Sequence, residues 1–202
     1  MSGGITRIEI CGGIASGKTT LAKLLSGGDF VSVFEEFRRN PFYEAFYRDP
    51  VGTAFETELT FLLQHYHQEK NAIRNKHPFC ADFSTELDHS YARVTLTQNE
   101  LRLFRLVYKH IETELPSRSL LVYLQCPPEV ELQRIRRRRR LTERTVTLTY
   151  VTKINNALVA RIKRLRRSEQ VLVINSDELD FAHNPQAQVV VRRRITGVLT
   201  NG

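Results

Sequence analysis

Apolar positions along the chain switch between compact runs and stripes that return every three or four residues. Ile5-Thr6-Arg7-Ile8-Glu9-Ile10-Cys11 is rich in strand-forming side chains, and Thr20 to Leu25 opens a helical pattern ending near Gly27-Gly28. Phe30 to Phe34 predicts a second short strand. Asn40-Pro41 and Asp49-Pro50 then bracket a short aromatic helix, and Phe55, Leu59, Leu62, Tyr66 and Ile73 mark a long helical stripe. His77 to Asp82 predicts a third strand ending in an acid. Leu101, Phe104, Tyr108, Ile111 and Leu115 predict a helix over Asn99 to Leu115, and Ser119 to Cys126 a buried strand ended by Pro127-Pro128 at a helix start. Val146, Tyr150, Ile154, Leu158, Ile162 and Leu165 form one more stripe, followed by the strand Val171 to Ile174, an Asn175-Ser176-Asp177 turn and a terminal helix. Short strands alternating with helices predict an α/β fold, a central parallel sheet whose ligands gather outside the carboxyl ends of its strands.

A chain of 202 residues with 41% hydrophobic and 26% charged residues suits one substantial core and a single domain over 1–202. The formal charge of +8 sits on one segment: Arg134 to Arg167 holds 13 Lys or Arg against the single acid Glu143, while the rest carries 17 bases and 21 acids. A basic segment on a mildly acidic body fits a phosphate-handling lid or a polyanion-binding patch. Its apolar stripe lets those arginines decorate a folded helix. Cys11, Cys80 and Cys126 stand far apart, without disulfide or zinc spacing, which predicts core thiols and a reduced, cytoplasmic home. No secretory pattern and no apolar run of membrane-span length is read, so secretion and membrane insertion are not expected.

The chemistry begins at Gly12-Gly13-Ile14-Ala15-Ser16-Gly17-Lys18-Thr19, whose G-x-x-x-x-G-K-[ST] spacing between a strand and a helix is that of a phosphate-binding loop. Its glycines let backbone N–H groups face phosphate oxygens, Lys18 brings a mobile cation, and the Thr19 hydroxyl is suited to a magnesium ion. Acids follow two strands. Glu35, after the second, would orient and deprotonate an attacking hydroxyl, and Asp82, after the third, would order magnesium directly or through water. Arg134, Arg138 and Arg140 are candidates for compensating triphosphate charge.

In their order along the chain, GGIASGKTT, FEEFRRNPFYEAFYRDP, AFETELTFLL, CADF, RIRRRRRLTERTVTLTYV and VLVINSDELDF resemble the deoxynucleoside kinase family, particularly its bacterial deoxyadenosine/deoxyguanosine kinase-like branch. The resemblance covers almost the whole chain and implies a P-loop kinase fold with an arginine-rich lid at about 134–144. It implies ATP and Mg2+ as cofactors and transfer of the γ-phosphoryl group to the 5′-hydroxyl of a deoxynucleoside, with a purine favoured. By the same resemblance Gly12 through Thr20 bind the donor phosphates, Glu35 is the base, and Arg138 and Arg140 contact those phosphates. Glu143 and Tyr47 are implied at the sugar 3′-hydroxyl, Tyr91 beside the nucleobase, and Asp180 and Phe181 near the donor nucleobase. The family is often dimeric, which makes a homodimer the expected assembly.

Two positions depart from many relatives. Glu58 stands where they carry Gln, and Phe83 follows the acid where they carry Arg, which removes a charge near Glu35; two outcomes stay open, replacement by another arginine or an altered rate or specificity. An ionised Glu58 accepts hydrogen bonds and donates none, so it would suit the adjacent N–H groups of guanine, and adenine less simply unless the acid is protonated or a water reverses the donor pattern. Two other readings remain open: a nucleotide monophosphate kinase of the thymidylate kinase kind, and a non-enzymatic P-loop protein binding nucleic acid through Arg134 to Arg167, the latter not favoured.

Overall fold

The computed structural model describes residues 7–26, 30–116 and 120–200. The expected starts of the first and fourth strands, at Ile5 and Ser119, and the helix end at Gly27-Gly28 lie outside them. Five strands, β1 (Arg7–Gly12), β2 (Val31–Val33), β3 (Phe79–Ala81), β4 (Leu120–Gln125) and β5 (Val171–Asn175), form one parallel sheet in the order β2-β3-β1-β4-β5. The chain leaves β1 toward one edge and returns on its other side at β4. The carboxyl end of β1 is therefore the point where the winding reverses and a crevice opens.

Eight α-helices cover the sheet among the described residues: α1 (Lys18–Leu25), α2 (Tyr43–Arg48), α3 (Pro50–Arg74), α4 (Thr85–Thr95), α5 (Gln98–Glu114), α6 (Pro128–Arg138), α7 (Leu148–Leu165) and α8 (Pro185–Thr200). Strand alternation sorts the core into two layers. Ile8, Ile10, Val122 and Leu124 meet Leu21 and Leu25 of α1 and Val191 and Ile195 of α8 on one face. Cys11, Leu121 and Tyr123 meet Leu87 of α4 and Leu158 and Ile162 of α7 on the other. A third cluster joins Leu62 of α3, Ala92 of α4 and Phe104, Tyr108 and Ile111 of α5. The three cysteines are buried and free, and among the described residues no helix is long and apolar enough to cross a membrane.

Two expectations change. The stripe assigned to α3 is not its deepest face: only Leu62 of that set is buried, and the innermost positions are Ala54, Thr57, Glu58, Leu62, His65 and Glu69. This helix turns polar side chains inward because they have partners there; Glu69, for example, lies 3.4 Å from Arg7 of β1, which also bonds Glu9 at 2.6 Å. Helix α4, between the third strand and the next helix, is an element the periodicity did not predict. It is buried on nearly every side, with Glu86, Asp88, His89 and Ser90 enclosed beside Leu87 and Ala92. A helix surrounded by protein has no solvent stripe to give it a period. Its start is capped by Ser84, whose hydroxyl accepts from the Leu87 N–H.

Candidate active site

A cleft of about 840 Å³ opens at the carboxyl ends of the strands and runs from the phosphate-binding loop to an aromatic chamber between α2, α3, α4 and α7. The loop turns on left-handed backbone at Ala15 (φ 60°) and Gly17 (φ 107°), a geometry that gathers N–H groups into an anion cradle at the start of α1. Close packing demands its glycines. A Cβ at Gly13 would collide with the carboxyl of Glu131 on α6, and one at Gly17 would come within 3.0 Å of the Phe181 ring. Lys18 Nζ donates to the Gly12 and Gly13 carbonyls at 2.9 Å each. Arg134 braces the loop from α6: it donates to the Ser176 carbonyl at 2.7 Å and approaches the Ala15 and Ser16 carbonyls at 3.5 Å.

Asp82, directly after β3 and 3% exposed, ties the phosphate-binding loop to the segment after β2. One carboxylate oxygen accepts from the Thr19 hydroxyl and the other from the Glu35 backbone N–H, both at 2.6 Å. Among the described residues no cluster of three or more His, Cys, Asp or Glu is arranged to hold a metal. A hydroxyl paired with one carboxylate beside a phosphate cradle is nevertheless a hard-oxygen set that fits magnesium, which takes its remaining ligands from phosphates and water.

The Glu35 carboxylate is half-buried beside His65 of α3, with Nε2 3.5 Å from Oε1. This imidazole stands within ion-pair reach of Glu35, where one reading of the sequence had looked for a further arginine. Burial alone would raise the Glu35 carboxyl, but the His65 contact and the charges of Lys18 and Arg140 bring it below the usual range. His65 also bonds Asp88 of α4 at 2.8 Å and stacks on Phe83 with ring centroids 4.2 Å apart.

Glu58 lies in the same cavity, 4% exposed, and accepts from the Thr95 hydroxyl at 3.1 Å. Burial, then the nearby Asp88 carboxyl, pushes its pKa to about 8. That shift favours the protonated acid at neutral pH, a form that both donates and accepts, over the ionised acceptor expected to suit guanine. Tyr47 and Tyr91 line the chamber with Tyr43, Phe61 and Tyr150.

The basic segment closes one side. Arg139 adopts left-handed backbone (φ 52°) at the end of α6 and turns the chain into a short 3-10 helix, Leu141–Thr145. Glu143 is 2% exposed and gathers Arg138, through Nε at 2.6 Å and through Nη2, together with Arg140 at 3.4 Å. Arg140 also covers the Phe37 ring at 4.8 Å. Phe181 is a buried ring under the loop, and Asp180 is an exposed group accepting from the Ala182 and His183 N–H groups. The cleft therefore brings together Lys18, Thr19, Glu35, Tyr47, Glu58, Asp82, Tyr91, Arg138, Arg140 and Glu143, with Ile14, Ala15, Ser16, Gly17 and Thr20 at its floor. Sequence reading missed His65, Asp88 and Tyr150. A polar pair at Glu58 and His65, seven residues apart on the inner face of α3, was the signal available.

The family profile described as deoxynucleoside kinase matches residues 8–200. A deoxyadenosine kinase from Dictyostelium discoideum is 27% identical over 179 residues, covering 86% of this chain and 73% of the relative. A deoxyguanosine kinase from the same organism is 26% identical over 157 residues, covering 72% of this chain and 54% of the relative. A structure of deoxyadenosine kinase from M. mycoides with products dCMP and a flexible dCDP bound superimposes with a TM-score of 0.83 at 21% identity, over 95% of this chain and 99% of that one. Another structure of that kinase, with bound dATP, gives 0.77 at 19% identity. With the profile spanning nearly the whole length and the fold shared, the chain belongs to the deoxynucleoside kinase family.

Proposed function

We propose that the protein transfers the γ-phosphoryl group of Mg-ATP to the 5′-hydroxyl of a purine deoxynucleoside, with deoxyadenosine the preferred acceptor. The observation that carries the reading is the chain of contacts Thr19–Asp82–Glu35, which joins the donor cradle to the carboxylate facing the acceptor chamber. Loop N–H groups and Lys18 would hold the triphosphate, and Thr19 with Asp82 would hold magnesium, whose charge neutralises the phosphate oxygens when it is bound. Glu35 would align the hydroxyl and accept its proton; its lowered pKa makes orientation the larger part of that role. Arg138 and Arg140, held by Glu143, would close over the developing charge. Tyr47 and Glu143 would receive the sugar, and Tyr91 the nucleobase.

Protonated Glu58 supports the adenine preference. Its C=O can accept from the exocyclic amine while its O–H donates to the neighbouring ring nitrogen, a pattern that guanine's adjacent N–H groups do not complement. Similarity to a deoxyadenosine kinase agrees with that preference. The proposal includes a cytoplasmic homodimer, for which the exposed Leu103 and Leu106 on the outer face of α5 offer an apolar strip. The test is an ATP/Mg2+ phosphotransfer screen of the four deoxynucleosides and their monophosphates with mass detection. Deoxyadenosine monophosphate is the expected main product. Absence of any nucleoside product would overturn the proposal, and diphosphate made only from monophosphates would select a nucleotide monophosphate kinase.

A further inference from the structure

His65 is 2% exposed and is not itself part of the cleft wall. It stands behind the wall, between two carboxylates that face the cavity from different elements. Nδ1 meets Asp88 of α4 at 2.8 Å, and Nε2 points to Glu35 after β2 at 3.5 Å. The ring is fixed in plane by Phe83 at 4.2 Å and 9°, with Phe61 at 5.9 Å on its own helix. We propose that His65 is a positioning residue: it holds the Glu35 carboxylate toward the acceptor hydroxyl and couples that orientation to Asp88 at the nucleoside end.

The inference rests on the phosphotransfer reading above. An imidazole between two carboxylates, stacked on an aromatic ring, best satisfies all three neighbours with both nitrogens protonated: Nδ1 donates to Asp88 at 2.8 Å, and Nε2, 3.5 Å from Glu35 and without a hydrogen bond there, keeps an ion pair that a small shift of the carboxylate would close into one. Burial opposes the charge, but contacts with Asp88 and Glu35 outweigh it and raise the pKa. Glu35 comes from the loop after β2 and Asp88 from α4; Glu58, on α3 with His65, has its pKa pushed up to about 8, and Lys18 and Arg140 add their charges at Glu35. Asp88 also lines the cavity, so a nucleobase that bonds to it pulls on the same imidazole that sets Glu35. A single buried ring thus spans the distance between recognition and chemistry, without touching substrate itself.

His65→Gln keeps a polar side chain of similar reach but removes the charge and one of the two donors. It should lower kcat by about 10- to 100-fold while the KM for deoxynucleoside changes by less than about threefold. His65→Arg, which restores a cation with two donors, should recover at least part of kcat. An unchanged kcat in His65→Gln, or a loss seen only in KM, overturns the proposal. The coupling is read separately by a double-mutant cycle: His65→Gln and Asp88→Asn should be non-additive in kcat, and additive losses would remove Asp88 from the bridge. If these variants do not fold, nitrogen-15 NMR of the wild-type imidazole decides. His65 should carry protons on both nitrogens at pH 8 and lose that state at a lower pH in Glu35→Gln. A neutral ring at pH 7, or a titration indifferent to Glu35→Gln, overturns it. Wild-type protein that makes no nucleoside product at all defeats the phosphotransfer reading, while the NMR titration still reports on the bridge.

Discussion

The two ends of the cleft are built by opposite means. At the phosphate end, eight consecutive residues from Gly12 to Thr19 provide the cradle, and their partners are mostly backbone carbonyls or tightly packed neighbours. At the other end, Glu35, Tyr47, Glu58, Asp88, Tyr91 and Tyr150 arrive from five separate stretches of chain, Asp88 and Tyr91 both from α4, and meet as side chains. One end is a local motif whose geometry is set by backbone handedness. The other is an assembly whose chemistry depends on burial and on which charges happen to neutralise one another. Asp82 joins them, with one oxygen committed to each end.

If that division holds, substitutions at the junction and the phosphate end should damage turnover for every acceptor alike. Glu35→Gln removes the proposed proton acceptor and the partner of His65, and kcat should fall by about 10³-fold at unchanged ATP affinity, measured by steady-state kinetics with each deoxynucleoside. Lys18→Ala should cost about 10²-fold in kcat for all acceptors, since the cation acts on phosphate oxygens and not on the base. A loss from Lys18→Ala that differs strongly between deoxynucleosides would break the comparison.

The same contrast explains what could be read from residue order. Spacing was enough for the phosphate loop because its turn is made within eight consecutive residues, with Gly17 on left-handed backbone (φ 107°), and it placed Glu35 and Asp82 after strands whose apolar runs were plain. It failed on α4, where Glu86 is enclosed and paired with Arg161 at 2.5 Å, so buried positions carry charge instead of apolar bulk. It also misjudged α3, where Phe55, Leu59 and Tyr66 are only partly buried while Glu58, His65 and Glu69 face inward. His65 and Asp88 meet across 23 positions of chain, and no periodicity announces a contact between two helices. Glu58 was noticed as a departure, but its protonation state follows from burial, which no local pattern contains.

Gly13→Ala sharpens the phosphate side at smaller cost. The added methyl runs into the carboxyl of Glu131, which is 1% exposed and rests against the loop. Overpacking of this kind costs about 1–3 kcal/mol, and the displaced loop should raise the KM for ATP by about tenfold while leaving the KM for deoxynucleoside within about twofold. Shortening the acid in Gly13→Ala/Glu131→Asp should return most of the ATP affinity. If it does not, the contact with Glu131 is not what fixes the loop.

Glu58→Gln should have the mildest effect on turnover and the most informative one on selection and stability. At pH 7 both the protonated acid and the amide donate and accept, so the preference for deoxyadenosine should survive, with kcat/KM within about threefold of wild type. The difference emerges on raising pH. As Glu58 loses its proton near 8, wild type should bind deoxyadenosine more weakly, by about three- to tenfold between pH 7 and 9, and Glu58→Gln should not. Stability follows the same group. A carboxyl that holds its proton to about 8 in the folded chain but releases it near 4.5 when unfolded leaves the unfolded state with fewer bound protons between those values. Folding free energy is therefore lost as pH rises through that window. Replacing the acid with an amide abolishes the loss, and Glu58→Gln should melt about 9 °C higher than wild type at pH 7, on the order of 3 kcal/mol, with the gap closing toward pH 4.5. A variant that melts with wild type at pH 7 would mean that Glu58 is already ionised there, and the nucleoside end would then present an acceptor suited to guanine.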